Sequence, residues 1–231
     1  MIDFSAYSVI TFDCYGTLID WESGMLSALK PLLNHHNIQL NDEQILEKFA
    51  EFESDLEKGE YRQYREILLA VVRRFGEEFR FAPSLVEQNC LPDSIKQWLP
   101  FPDTIEALKQ LKQSLKLGII SNIDDALFAD TAQRLEVPFD YIITAEQVGS
   151  YKLSLNNFQR AIERIELPSE QIIHAAASVY HDIIPASSLE LTTVWVNRRA
   201  NQGGSGAAPS ASAQADLVVP DLQTLAALSA N

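Results

Sequence analysis

The sequence predicts an α/β fold: a mostly parallel sheet covered by helices on both faces, with a helical segment inserted after the first strand. Three observations carry that expectation. A short β-branched run, Tyr7 to Phe12 (YSVITF), opens the chain and runs into a turn signalled by Gly16. From Trp21 to about Leu99 the chain is rich in Glu, Lys, Leu and Phe, with apolar residues at helical spacing and few strand-like runs. After Pro100-Phe101-Pro102, strands and helices alternate, which requires right-handed crossovers and a sheet buried on both sides.

The elements follow in order. Within the insert, Leu26, Leu29, Leu32 and Leu33 share one helical face. Ile45, Phe49, Phe52 and Leu56 mark a second helix, and Ile67, Leu68, Val71, Val72 and Phe75 a third. Asn41 followed by Gln44 has the spacing of a capping box. About four helices are expected, broken near Asn34–Asn37, Lys58-Gly59 and Ala82-Pro83. Beyond the insert the spacing predicts helices over Thr104–Lys112, Asp125–Leu135, Asn156–Ile165 and His181–Leu189. Strands are expected over Leu117–Ser121, Tyr141–Thr144, Gln171–Ala175 and Thr192–Val196. Ala200 to Ala215 is Gly/Ser/Ala-rich and reads as a flexible surface loop. A last short strand (Leu217–Val219) and helix (Asp221–Leu228) close the chain. The division is a core of residues 1–18 and 98–231 with an insert of residues 19–97.

Composition narrows the function. The 231 residues are 46% apolar and 22% charged, ordinary for a globular protein. A net charge of −14 disfavours binding to nucleic acid or to an anionic membrane surface. Two cysteines, Cys14 and Cys90, make no disulfide framework and suit a reducing compartment. No apolar run reaches the roughly 18 residues of a membrane span. A cytoplasmic enzyme acting on a small molecule is the expectation.

In a parallel sheet, sites form at the carboxyl ends of strands. That rim collects Asp13, Ser121-Asn122, Lys152 and the loop after Ala175. Taken singly, each has an ordinary explanation: a turn-forming Asp, a helix cap, a surface lysine, a turn hydroxyl and a first-turn acid at Ser178 and Asp182. A cation at Lys152 could pair with Asp13 and lower its pKa. Cys14 has no His partner in view and reads as a filler, and His174 reads as a packed or turn histidine. Trp21 and Tyr15 are candidates for an apolar wall that keeps bulk water from Asp13.

The order of these pieces is more telling than any one of them. FDCYGTLIDW (Phe12 to Trp21), SNIDDALF (Ser121 to Phe128), TAEQVGSYK (Thr144 to Lys152) and TTVWVNRR (Thr192 to Arg199) together resemble the haloacid dehalogenase superfamily, and within it the type II, L-2-haloacid dehalogenase-like branch. The resemblance spans essentially the whole chain. It implies a Rossmann-like core with a helical cap and a hydrolysis in which Asp13 displaces the leaving group and is released by water from an aspartyl ester. It gives Thr17 the task of orienting Asp13, Lys152 that of keeping it ionised, and Asp182 that of orienting Lys152 or water. Tyr15, Gly16, Trp21, Ser121, Asn122 and Ser178 would surround a small carboxylate substrate. Relatives use a cap arginine to receive halide, for which Arg62 and Arg65 are candidates by location. A homodimer is implied by the resemblance alone.

The departures also bear on mechanism. Phosphatases of the superfamily carry DxDxT, whose second Asp protonates the leaving alkoxide. Here that position is Tyr15, with an ordinary pKa near 10. A halide needs no proton. Ala176-Ala177 stand where a metal-binding Gly-Asp would be, so no metal or other cofactor is expected, and Mg²⁺ only under a phosphatase reading. Ala177 and Val179 replace the Ser and Asn usual in dehalogenases, Leu153 replaces a Pro, and Phe158 replaces a Tyr. FDCYGTLIDWESG is also similar to enzymes that open azetidine-2-carboxylate, where an amine leaves. Dehalogenation comes first among the readings, then this ring opening, a phosphatase and a binding protein with a decayed site.

Overall fold

A computed structural model describes residues 2–200 and 212–230. Six strands, β1 (Val9–Phe12), β2 (Lys116–Ser121), β3 (Tyr141–Thr144), β4 (Ile172–Ala176), β5 (Thr192–Val196) and β6 (Leu217–Val219), form one sheet of order β3-β2-β1-β4-β5-β6. Every pairing is parallel. β1 and β4 are buried along their whole length, which is why they read as unbroken apolar runs rather than alternating ones. Strand order reverses at β1, with β2 and β3 to one side and β4 to β6 to the other. The crevice of a parallel sheet opens at that reversal.

Between β1 and β2 lie α1 (Trp21–His35), α2 (Asp42–Leu56), α3 (Tyr64–Phe79), α4 (Leu85–Gln88) and α5 (Cys90–Ser94). Asp20 caps α1 through the Ser23 amide, and Asn41 and Gln44 form the reciprocal cap of α2 that their spacing predicts. The fourth predicted helix is instead split into α4, α5 and a 3₁₀ turn, Ile95–Gln97. Asn89 turns its amide back onto Leu85 O, and Pro92 has no N–H to extend a ladder. Core helices α6 (Thr104–Leu111), α7 (Asp125–Leu135), α8 (Ala145–Val148), α9 (Asn156–Ile165), α10 (Ile184–Ser188) and α11 (Leu222–Ser229) flank the sheet.

One core helix departs from its sequence pattern. The helix expected over His181–Leu189 begins as a π turn, Val179–Ile183, and only then becomes α10. Pro185 at the start of α10 supplies no donor, and Ser178 caps the turn by accepting from the His181 amide. The expected loop over Ala200–Ala215 falls mostly outside the described residues.

Insert and sheet share one apolar cluster, running from Ile10 and Phe12 through Met25, Phe49 and Phe75. Polar contacts dock the insert as well. Asp124, just past β2, accepts from the amides of Tyr64 (2.7 Å) and Arg65 (2.8 Å) at the start of α3. The Tyr151 hydroxyl donates to Arg62 O at 2.7 Å. Among the described residues no helix is long and apolar enough to cross a membrane.

Candidate active site

Asp13 is the first residue past β1, and its amide still donates to Ala175 O of the neighbouring strand. The chain then turns sharply: the Leu18 and Ile19 amides both donate to Cys14 O. Gly16 makes this turn possible. Its φ is +93°, and a Cβ there would lie 2.9 Å from Trp21 Nε1. The carboxyl end of the central strand is thereby aimed into a cavity of about 710 Å³ between sheet rim and insert.

Asp13 is held on both oxygens. Thr17 Oγ1 donates to Oδ2 at 2.9 Å, and Lys152 Nζ donates to Oδ1 at 2.8 Å. Lys152 spends its other two N–H groups on Asp182 Oδ1 (2.7 Å) and Ile120 O (2.9 Å). The lysine is buried and fixed at its backbone too. Asn122 Oδ1 accepts from the Lys152 amide at 2.7 Å, and Asn122 Nδ2 donates to Lys152 O at 3.2 Å. Thr17 Oγ1 also accepts from the Ala177 amide at 2.9 Å, tying the loop after β4 to the nucleophile loop. Asp13, Thr17, Lys152 and Asp182 thus form one connected set.

Electrostatics within the set are uneven. Burial raises the Asp13 carboxyl above its ordinary value, assisted by the Asp182 charge and opposed by Lys152 and Thr17. Lys152 does pair with Asp13 and lower its pKa, as the sequence leads one to expect, but desolvation is the larger effect and the net shift is upward. Asp182 is desolvated too, yet Lys152 and His174 hold it down at about 2. The two carboxylates in turn hold the Lys152 ammonium charged against its own burial. The first proton taken up by this cluster on acidification therefore goes to Asp13. Asp182 Oδ2 is buried without a partner among the described residues.

The other expected residues divide into two groups. Tyr15, Gly16, Trp21, Ser121, Asn122 and Ser178 line the cavity. Tyr15 presents its ring; its hydroxyl bonds Thr131 Oγ1 at 2.8 Å, and burial pushes its pKa well up, so it is no proton donor at neutral pH. Asn122 was expected to hold substrate, but its amide clamps the Lys152 backbone. Ser178 is engaged with the His181 amide. Arg62 and Arg65 are not brought to the cavity. Arg62 Nη2 turns back to Leu56 O, a free carbonyl at the end of α2, at 2.6 Å, and Arg65 Nη2 pairs with Asp93 at 2.8 Å. Cys14 is buried and its thiol pushed well up.

Several site residues had no clear signal in the sequence. His174 is buried on β4. Its Nε2 faces Asp182 Oδ1 at 3.1 Å and its Nδ1 faces Thr11 Oγ1 at 2.9 Å, so it continues the chain from Asp13 through Lys152 and Asp182 into the sheet. Phe158, at the position of the lost tyrosine hydroxyl, packs edge-on against it at 5.0 Å. Arg198 grips Asp103 with two bonds (2.8 and 2.9 Å) and Thr17 O with two more (3.1 and 2.9 Å). It buttresses the nucleophile loop from behind. Glu53, Glu57 and Tyr64 reach the cavity from the insert. The run of arginines at Arg198 and Arg199 was visible; its partners were not.

The residues present do not fit a Mg²⁺ ion between Asp13 and Asp182. The Lys152 ammonium already bridges them, and a divalent ion asks for about six oxygens. On the insert, His35, His36 and Glu87 bring ligand atoms within 4.8 Å of one another. There Glu87 is committed to the Ser84 cap and to His36.

Comparison with known proteins agrees with the fold and bears on the chemistry. The family model for haloacid dehalogenase-like hydrolases matches residues 7–187. An (S)-2-haloacid dehalogenase from Pseudomonas putida is 30% identical over 112 residues, 47% of this chain and 49% of that protein. The chain thus spans about half the length of the first curated relatives it matches. A glyceraldehyde 3-phosphate phosphatase from Methanothermobacter thermautotrophicus is 28% identical over 81% of this chain and 84% of that protein. The crystal structure of the L-2-haloacid dehalogenase PA0810 superposes with a TM-score of 0.81 at 23% identity, covering 97% of this chain and 99% of that one. At that identity the likeness is one of fold.

Proposed function

The chain belongs to the haloacid dehalogenase-like hydrolases, and on that premise we propose that it hydrolyses a small 2-substituted carboxylate through an ester formed on Asp13. One observation carries the reading. A carboxylate at the tip of the central strand faces a cavity, paired with the ammonium of Lys152, and Tyr15 supplies no acid for a leaving group beside it. In the first step an Asp13 oxygen bonds to the substrate's C2, and the leaving group departs with the bonding electron pair. In the second, water adds to the Asp13 carbonyl carbon and the carbon–oxygen bond of the ester breaks at that carbon. This regenerates Asp13 and releases a 2-hydroxy acid. Thr17 and Lys152 keep Asp13 in line, Asp182 fixes Lys152, and the protons of the attacking water pass to the departing 2-hydroxyl oxygen and to solvent. Backbone amides near Tyr15, together with Ser121, would receive the substrate carboxylate.

The leaving group must depart unaided by Tyr15. Halide does, as in the relatives named for haloacids, and that is the first reading. An amine that enters the site already protonated does so too. A phosphate ester does not, because its alkoxide requires the acid that Tyr15 replaces. Single turnover in H₂¹⁸O followed by mass analysis of the Asp13 peptide tests the mechanism. Label is expected in Asp13 before it appears in product, and unlabelled Asp13 in an active enzyme overturns the proposal.

A further inference from the structure

Two of the chain's four histidines, His35 and His36, meet at the end of α1, and both face the carboxylate of Glu87 on α4. Glu87 is 51 residues from His36 along the chain, so the meeting is made by the fold of the insert. The three side chains bring one ligand atom each to within 4.8 Å of the others. α1 starts at Trp21, against the catalytic cavity, and runs about 20 Å to His35. The group therefore stands apart from Asp13, and nothing in the proposed hydrolysis uses it.

Glu87 divides its two oxygens. Oε2 accepts from the Ser84 amide and hydroxyl, both at 2.7 Å, which fixes the carboxylate and turns Oε1 toward the imidazoles. Nε2 of His36 lies 2.9 Å from Oε1, and Nε2 of His35 lies 4.0 Å from that same oxygen. His36 is held as well, its ring stacked on Phe81 at 4.1 Å and 16°. Two donors are thus set in place by other contacts. The third, His35, has a side chain 73% exposed and has room to turn. Tetrahedral bonds of about 2.0–2.2 Å to nitrogen and oxygen require donors about 3.3 Å apart. Opening the His36 contact by a few tenths of an ångström and turning His35 inward by about 1 Å would satisfy that requirement.

We propose that His35, His36 and Glu87 bind a divalent ion of the Zn²⁺ class, with solvent in the fourth position, and that the ion staples the end of α1 to α4. Two imidazoles and one carboxylate suit a late first-row metal, whereas Mg²⁺ and Ca²⁺ ask for six or more oxygens. The ion replaces the hydrogen bond between His36 and Glu87. Each neutral ring then ligates through Nε2 and keeps its proton on Nδ1. The chain's net charge of −14 favours a cation over the apo state. The ordinary alternative is a plain hydrogen bond from His36 to Glu87, with His35 an exposed bystander. That role leaves unexplained why the second ring presents Nε2 to the same oxygen, and it predicts no response to metal.

The test is calorimetric titration of ZnCl₂ into the full chain, stripped of metal with a chelator and held at neutral pH in a non-coordinating buffer. The same titration is run on His35→Ala and Glu87→Gln. His35→Ala removes an exposed ring, and Glu87→Gln keeps an oxygen for Ser84, so both should melt as native proteins without metal. One equivalent of Zn²⁺ is expected to bind the full chain with a micromolar dissociation constant. Each variant should weaken it at least about tenfold. Zn²⁺ at about a hundredfold excess over that constant should raise the melting temperature of the full chain by about 5 °C or more, and that of each variant by less. Mg²⁺ should do neither. Absence of stoichiometric Zn²⁺ binding, undiminished binding in either variant, or equal binding of Mg²⁺ overturns the inference. The outcome is independent of the ¹⁸O experiment, because neither the site nor its readout involves Asp13.

Discussion

Asp13 illustrates how competing effects on one residue set a measurable behaviour. Its carboxyl is raised by burial and pulled back by Lys152 and Thr17, while Asp182 stays ionised down to about 2. The acid limb of kcat/KM is therefore expected to report one proton, on Asp13, with a midpoint above the ordinary 3.8. Thr17→Val removes a donor to the charged form and should move that limb to higher pH, as a pH–rate profile would show. Lys152→Met leaves two buried carboxylates facing each other with no cation. Loss of about 3–5 kcal/mol of stability is expected, read by urea unfolding, together with loss of ester formation. Glu53, like Asp13, is raised in the folded state and carries a linkage of the same sign. Its folded pKa, about 7, lies above its ordinary 4.5, so the folded state prefers the protonated form. The associated stability is present below 4.5 and lost as pH rises through 7. Glu53→Gln should thus stabilise the protein at pH 8 by up to about 3 kcal/mol and hardly at all at pH 4. Comparing melting curves at the two pH values checks this. At this scale the sequence showed Asp13, Thr17, Lys152 and Asp182 through their order along the chain. It did not show His174, Arg198 or Glu53, because what gives each its role lies on a different element: Asp182 past β4, Thr17 after β1, Tyr64 on α3.

Among elements, the turn from Asp13 to Asp20 is the most demanding. It must present a carboxylate, return two amides to Cys14 O, and let Trp21 pack directly over Gly16. Gly16→Ala would place a methyl in contact with the Trp21 ring at a positive φ. A cost of about 1–3 kcal/mol is expected, with a larger fall in kcat than in KM because Asp13 would be displaced from its line of attack. Thermal unfolding and steady-state kinetics measure the two parts. The elements legible from periodicity were those whose own sequence decides them: α7, α9, β3 and β5 have the bounds their patterns predict. The π turn before α10 was not legible. Helical spacing continues through Val179–Ile183, and nothing local announces that Asp182 is drawn to Lys152 across the sheet rim.

For the whole molecule, the decisive feature is that insert and sheet share one apolar core and are clamped by Asp124 and Tyr151. The two segments are expected to unfold together. Calorimetry should show a single transition with equal calorimetric and van't Hoff enthalpies, and two resolved transitions would argue for independent units. The parallel sheet, its covering helices and the helical insert were determined by sequence alone. Period and apolar run length are local properties, and they suffice to fix which elements form. The tertiary structure alone decided which expected residues meet. It sent Arg62 and Arg65 outward, put Asn122 on the lysine's backbone, set His174 behind Asp182, and turned two glutamates inward. Those outcomes depend on distances between residues far apart in the chain, and on which charges share a space without water, neither of which is written in any local pattern.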